Sequence, residues 1–246
     1  MKTIAYIQKV GGEFPNINFL TAYIALKRFF GYRIVFFENV EEILDYVTKE
    51  TIVFGGIPVM DKVFKRLGVN PIIPYYPYRL IDFTGRKVWK MSVKNVRHDV
   101  ENGAAFFVKP VEEMKKSFNG MIMSKFLHLL PMHHLDEDVM VWCSEIIKLE
   151  SEYRCYIHRE QGVLGCKHYA GDWKKMIDTS LPEVMRHIYY DKSPIAYSID
   201  LGVTDKGETV LVECNDALSL GCYGLDPSLY GCMIVDRWKE IMNEPR

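Results

Sequence analysis

Three oxygen-bearing side chains stand close together in the last fifth of the chain: Asp200, Glu213 and Asn215. Residues 197–203 and 209–216 read as two strands around them. The turn Thr204-Asp205-Lys206-Gly207 joins the strands, and Gly207 can take the positive φ of a tight hairpin. Residues two apart in a strand share a face, so Glu213 and Asn215 project together. Antiparallel pairing can bring Asp200 beside them. Two carboxylates and an amide oxygen on one rigid surface make a hard-oxygen site suited to Mg²⁺. The plain alternative is an edge hairpin with solvated acids, because apolar and polar residues alternate on any half-buried sheet.

Cationic candidates lie upstream. Residues 104–110 form an apolar strand that ends in Lys109, where an ammonium can sit on a phosphate or simply snorkel to water. A polar turn, Lys115-Lys116-Ser117-Phe118-Asn119-Gly120, follows it and leads into a strand from Met121. Residues 140–147 are a further buried strand, continued by residues 152–157, and Gln161-Gly162 turns the chain into residues 163–169. On the first of these paired strands Glu152, Arg154 and Tyr156 share a face. On the second, Lys167 and Tyr169 do. Facing the carboxylate hairpin, such a cationic surface would hold a metal-bridged polyanion; otherwise it is cross-strand salt bridging on a wet sheet face.

Other chemistries find little support. No Ser-His-Asp or Cys-His arrangement stands out, and the adjacent His133 and His134 point different ways on any regular element. The six cysteines contain no CxxC pair. They read as buried free thiols of a reducing compartment, and a zinc site is not expected. Neither a GxGxxG nor a Walker lysine motif is present.

The elements that must position these residues begin with alternating strands and helices. Strands are expected at 4–7, 33–37 and 51–54. Helices are expected from Asn16 or Asn18 to Phe29, over 40–47, and from Pro58 to Leu67, with Pro71 to Pro74 as a last edge strand. This is a small α/β lobe with a largely parallel sheet. The Tyr75-Tyr76 segment between prolines reads as a linker whose rings can pack on a neighbouring lobe, so residues 1–76 and 77–246 are taken as two regions. Later helices span 182–190, with Val184, Ile188 and Met185 facing inward, and run from Pro227, capped by Asp226, to about Met242.

The chain's 246 residues are 48% hydrophobic and 26% charged, with a formal net charge of −1. That is enough to bury a real core, and no basic excess argues for nucleic acid. No apolar run approaches the roughly 20 residues of a membrane span, and no signal peptide is evident. A soluble, cytoplasmic protein is expected, with its oligomeric state open.

Taken together, the segments resemble the ATP-grasp superfamily from about Lys90 to the C-terminus. Phe107-Val108-Lys109-Pro110 looks like its phosphate-binding lysine strand, and Lys116-Ser117-Phe118-Asn119-Gly120 like its flexible phosphate loop. Ser144-Glu145-Ile146-Ile147-Lys148 followed by Glu152 is similar to its adenine hinge and ribose glutamate. Asp200, Glu213 and Asn215 match its magnesium triad in order and position. The compact size and the 109–120 segment resemble a small clade found often in phages and bacterial conflict loci.

The resemblance implies two α+β lobes with antiparallel sheets behind the N-terminal α/β lobe. It implies ATP and one or two Mg²⁺ (or Mn²⁺), and a ligase joining a small-molecule or peptide carboxylate to an amine through an acyl phosphate. Rival readings are a small-molecule kinase on the same fold and a nucleotide-binding module without chemistry. Lys90, or else Lys87, would be the family's earlier lysine. The arginine that the family often has two residues before the first metal aspartate is Ser198 here, so Arg154 and Lys167 are the expected replacements. Ser219 and Tyr223, in the loop after the triad, are expected at the acceptor pocket.

Overall fold

The computed structural model describes residues 3–71, 74–112, 117–218 and 220–243. The chain opens with β1 (Ile4–Gln8), α1 (Ile17–Ile24), β2 (Arg33–Phe37), β3 (Ile52–Phe54) and α2 (Ile57–Leu67). The three short apolar strands form a parallel sheet in the order β2–β1–β3. Asn16 caps α1 by accepting the Asn18 N–H, and the helix continues as a π-helical turn over Ala25–Phe29. The helix expected at 40–47 is only one 3₁₀ turn, Val40–Glu42, closed by an Asn39–Glu42 capping box. So short a segment cannot sustain a helix by itself. Val40, Ile43 and Val47 are buried all the same, held by tertiary packing. The edge strand expected at Pro71 to Pro74 falls on Ile72 and Ile73, which lie outside the described residues.

A second layer contains β4 (Val88–Ser92), α3 (Val93–Glu101), β5 (Phe106–Pro110), β6 (Met121–Met123) and β7 (Met140–Ser144). Its antiparallel sheet runs β4–β7–β5–β6. One face packs Val108, Val141 and Cys143 against Val93, Val96 and Val100 of α3.

The third unit contains β8 (Leu149–His158), β9 (Gly162–Gly171), α4 (Leu181–Tyr189), β10 (Ala196–Thr204), β11 (Thr209–Asp216) and α5 (Pro227–Asn243). Its antiparallel sheet runs β11–β10–β8–β9, and every residue of β10 is buried. The expected inward face of α4 is corrected. Met185 is fully buried, with Pro182 and Tyr189, whereas Val184 and Ile188 are 44% and 38% exposed. The helix starts one residue earlier than expected and turns Met185 and Tyr189, four apart, onto the β8–β10 face.

The C-terminal helix returns to the start of the chain. Tyr230, Met233, Ile234, Trp238 and Ile241 of α5 share one core with Ala5, Ile7, Leu26 and Phe64 of the parallel lobe. Gly231 leaves room for the Phe30 ring, which a β-carbon there would meet at 2.6 Å. Not all cysteines are free thiols as expected: Cys155 and Cys166, directly opposite on β8 and β9, form a disulfide, while Cys143, Cys214 and Cys222 are buried and free. Spacing alone does not show which strand pairs with which. No helix among the described residues is long and apolar enough to cross a membrane.

Candidate functional site

A cleft of about 320 Å³ lies between the two antiparallel sheets. One wall is the open face of the β4–β7–β5–β6 sheet. Its register sets Lys90, Trp142 and Lys109 side by side on three strands. The Lys90 ammonium lies over the Trp142 ring at 4.7 Å. Lys87 lies instead by Trp89, whose ring belongs to the opposite, core face. Gly120 sits against this wall: a β-carbon would stand 2.6 Å from Phe107 Cζ and 3.2 Å from Lys109 Cβ.

The back of the cleft is the irregular stretch between β7 and β8. The Glu145 carboxylate accepts the Lys87 N–H at 2.8 Å, and the Glu145 N–H donates to Lys87 O at 3.1 Å. This reciprocal pair pins the stretch to the start of β4. Ile146 and Ile147 line the cleft, and among the described residues their backbone groups make no hydrogen bond. Such groups are what the edge of a planar heterocycle would pair with. Lys148 does not line the cleft; its carbonyl accepts the Asp205 N–H. Glu152 lines it from β8 and accepts a hydrogen bond from Tyr169 Oη at 2.9 Å.

The floor is the β10–β11 hairpin. Gly207 has φ +81° in the expected turn. Asp200 pairs directly with Glu213, and a bulge follows at once, because Leu201 pairs with Leu211. Bulges re-aim side chains beside sites. Asn215 Nδ2 donates to Glu213 Oε1 at 2.8 Å and lies 3.4 Å from Asp200 Oδ2, so the three side chains converge on one point. Two carboxylates and an amide are a donor set that fits a hard divalent cation, and turning the Asn215 amide over presents its oxygen to the same point.

Each carboxylate also has its own cation. Arg154 on β8, opposite Asp200 in register, donates Nε and Nη2 to the two Asp200 oxygens at 2.8 and 2.6 Å. Asp200 is 1% exposed. Burial pushes its carboxyl up to about 6, against the pull of Arg154 and helped by the nearby Glu213 and Glu152 charges. Burial disfavours the Arg154 charge, and Asp200 more than restores it, holding the guanidinium protonated. Lys109 donates to Glu213 Oε2 at 2.6 Å, with its ammonium 3.7 and 4.5 Å from the ring centroids of Tyr75 and Tyr76. Lys167 on β9 lies opposite Arg154 in the ladder, and among the described residues its ammonium makes no hydrogen bond or ion pair.

The phosphate-loop candidates are less gathered. Among the described residues the buried Ser117 hydroxyl has no hydrogen-bond partner, Asn119 is exposed, and Lys115 and Lys116 lie outside the described residues, as does Ser219. Tyr223 stacks on Tyr169.

Sequence reasoning missed Arg86. It lines the cleft and spans both sheets, donating to Ser144 Oγ at 3.3 Å, Leu211 O at 3.0 Å and Val212 O at 3.3 Å. It also missed Glu112, which accepts the Tyr75 N–H and the Trp142 indole N–H. No local pattern marks either residue. One further cluster, His158, Cys232 and Asp236, has metal-ligand types within 4.8 Å. His158 Nδ1 accepts the N–H groups of Glu160 and Gln161. The neutral ring therefore carries its proton on Nε2, facing Asp236 at 3.3 Å, with no lone pair there for a metal.

Comparison with known proteins agrees with this architecture. Solved structures similar to the chain include N5-carboxyaminoimidazole synthetase from Staphylococcus aureus (TM-score 0.60, 11% identity, 98% of this chain and 78% of that one). A RimK domain protein ATP-grasp from Sphaerobacter thermophilus DSM 20745 has a TM-score of 0.58 and 13% identity, over 95% and 99% of the two chains. D-alanine–D-alanine ligase from Bacillus anthracis has 0.56 and 12%, over 98% of both. The chain thus has the fold of these ligases and synthetases. Among curated proteins, none matches. The model of the ATP-grasp domain, R2K clade family 2, matches residues 83–233, more than half of the chain. With most of the cleft lining, the irregular stretch between β7 and β8 and the acidic hairpin inside that span, the chain belongs to the ATP-grasp domain family, R2K clade family 2.

Proposed function

We propose that the chain is an ATP- and Mg²⁺-dependent ligase joining a carboxylate to an amine, with residues 1–76 as the lobe preceding a nucleotide-binding and catalytic region of residues 77–246. The observation that carries this reading is the continuity of the cleft. The 145–147 backbone, Glu152, Lys109 and Glu213 follow one another along a single surface, with Asn215 and Asp200 converging on Glu213 just beneath it. In this reading Glu145, Ile146, Ile147 and Lys148 form the adenine hinge, and Glu152 holds the ribose hydroxyls. Lys90 and Lys109 lie along the phosphates, and Ser117, Asn119 and Gly120 belong to the loop that closes over them. Asp200, Glu213 and Asn215 hold one or two Mg²⁺, which when bound neutralise the β- and γ-phosphate oxygens.

The chemistry needs positioning and charge more than a protein nucleophile. A carboxylate oxygen of the substrate attacks the γ-phosphorus and ADP departs, giving an acyl phosphate. An amine nitrogen then attacks the acyl carbon, loses a proton, and phosphate leaves. Arg154 and Lys167 supply fixed positive charge where anionic oxygen accumulates in both steps. The two substrates are small-molecule or peptide in class, in keeping with the ligase and synthetase names of the structural neighbours.

Glu213→Ala is expected to abolish Mg²⁺-dependent ATP turnover while leaving the circular dichroism spectrum unchanged. Turnover is assayed with a pool of amino acids and peptides and read as ADP, phosphate and product mass. Wild-type turnover in that variant removes the metal assignment. A phosphorylated product with no free phosphate converts the reading to a kinase.

A further inference from the structure

We propose that Tyr169 is a positioning residue serving two substrate sites at once: its hydroxyl sets the Glu152 carboxylate for the ribose diol, and its ring seats the loop bordering the acceptor pocket. The proposal rests on the assignment of Glu152 as the ribose ligand.

The first observation is local. Glu152 pairs with Ala170, yet Tyr153 pairs with His168, so Tyr169 is the extra residue of a β-bulge on β9. Bulges next to sites re-aim one side chain out of the regular pleat. Here the phenol reaches Glu152 Oε2 at 2.9 Å. Among the described residues Glu152 Oε1 makes no hydrogen bond, and Glu152 lines the nucleotide cleft. One oxygen is thus tethered and the other is presented.

The second observation lies on the other side of the ring. Tyr169 stacks on Tyr223, with centroids 5.1 Å apart and planes 16° from parallel. The Arg154 guanidinium is 5.7 Å from one ring and 5.2 Å from the other. Tyr223 has φ +40°, the single described non-glycine residue with positive φ. Such strain persists where the surroundings over-determine it, and three distant elements do so. Tyr156 Oη on β8 donates to Gly221 O at 2.7 Å, Tyr230 Oη on α5 donates to Leu220 O, and the Cys222 N–H donates to Asn18 Oδ1 on α1 at 2.8 Å. The Tyr169 ring is the surface on which the strained residue lands. A single side chain therefore touches the Glu152 tether, the cation that pairs with Asp200 and the loop that follows the acidic hairpin.

The two jobs separate by substitution. Tyr169→Phe keeps the ring and removes the tether; Tyr169→Leu removes both. Calorimetry with Mg²⁺ and either ATP or 2′-deoxy-ATP reads the first job. Wild type is expected to prefer ATP. Tyr169→Phe is expected to bind ATP about tenfold more weakly, the scale of one hydrogen bond to a charged group, and to lose most of its preference over 2′-deoxy-ATP. Amide hydrogen exchange over residues 220–225 reads the second job. Exchange there should rise in Tyr169→Leu and stay at wild-type level in Tyr169→Phe.

Glu152→Gln separates failures. If it keeps the full ATP preference, the ribose assignment falls and the proposal with it. If it loses the preference while Tyr169→Phe keeps it, the ribose assignment stands and the role of Tyr169 is overturned. Unchanged loop exchange in Tyr169→Leu overturns the second job.

Discussion

At the residue scale, Asp200 and Glu213 are each matched to a cation: Arg154 from the adjacent strand β8, and Lys109 from β5 of the other sheet. The Asp200–Arg154 pair is bidentate and almost wholly buried, while the Glu213–Lys109 pair is partly open to the cleft. Buried pairs add little net stability, but breaking one leaves an uncompensated charge. Lys109→Met is therefore expected to cost about 2 kcal/mol in urea denaturation, less than for a wholly buried pair because the Glu213 side chain keeps some solvent. The same variant should weaken Mg²⁺–ATP binding, which calorimetry reads. Equal stability to wild type would mean that Glu213 does not depend on Lys109. Ser198 places no cation two positions before Asp200 on β10; the guanidinium beside Asp200 is that of Arg154, opposite it on β8. Directly paired residues on neighbouring strands share a face, which is why Arg154 reaches this carboxylate.

At the element scale, the site depends on close approaches between strands and loops. The Gly120 backbone lies against Phe107 and Lys109, and its φ is not in the left-handed region, so alanine is allowed there by the backbone but not by the neighbours. Gly120→Ala is expected to push the Phe107 ring toward the cleft. ATP affinity should fall several-fold, and stability by no more than about 1–2 kcal/mol, as for mild overpacking. Calorimetry and denaturation on the same preparation check both; unchanged affinity would remove Phe107 from the nucleotide wall. Two bulges act at this scale as well. The one after Asp200 falls beside the Asp200–Glu213 pair, and the one at Tyr169 sets the phenol on the Glu152 carboxylate. The linker contributes an element of its own: Tyr75 O accepts the Cys214 N–H of β11, which lays the tyrosine pair beside the acidic hairpin and over Lys109.

At the scale of the whole molecule, the N-terminal lobe does not close its core alone. Helix α5, the last element described, supplies Trp238, Ile234 and Tyr230 to it, and Trp238 packs on Phe64 and donates its indole N–H to Lys49 O. Trp238→Ala is expected to cost about 3–5 kcal/mol, the range for deleting a buried large aromatic, and to loosen the parallel lobe together with α5. Urea denaturation, with hydrogen exchange over residues 4–64, measures it. Protection of that lobe at wild-type level would show that its core stands without α5. The shared core also ties the loop that follows the acidic hairpin to the first and last helices, through Asn18 of α1 and Tyr230 of α5.

The sequence by itself determined the local elements and the identity of the acids. Strand alternation put Glu213 and Asn215 on one face, Gly207 marked the turn, and the strand–helix alternation of the first 70 residues specified a parallel sheet. These are properties of a few consecutive residues, where periodicity and backbone preference act directly. Only the tertiary structure decided the rest. Arg86 bridging two sheets, Cys155 facing Cys166, Arg154 reaching Asp200, the bulge at Tyr169 and the inward turn of Met185 all depend on which strand lies next to which, and in what register. That choice is made by burying one large apolar surface as a whole, and no short window of residues carries it.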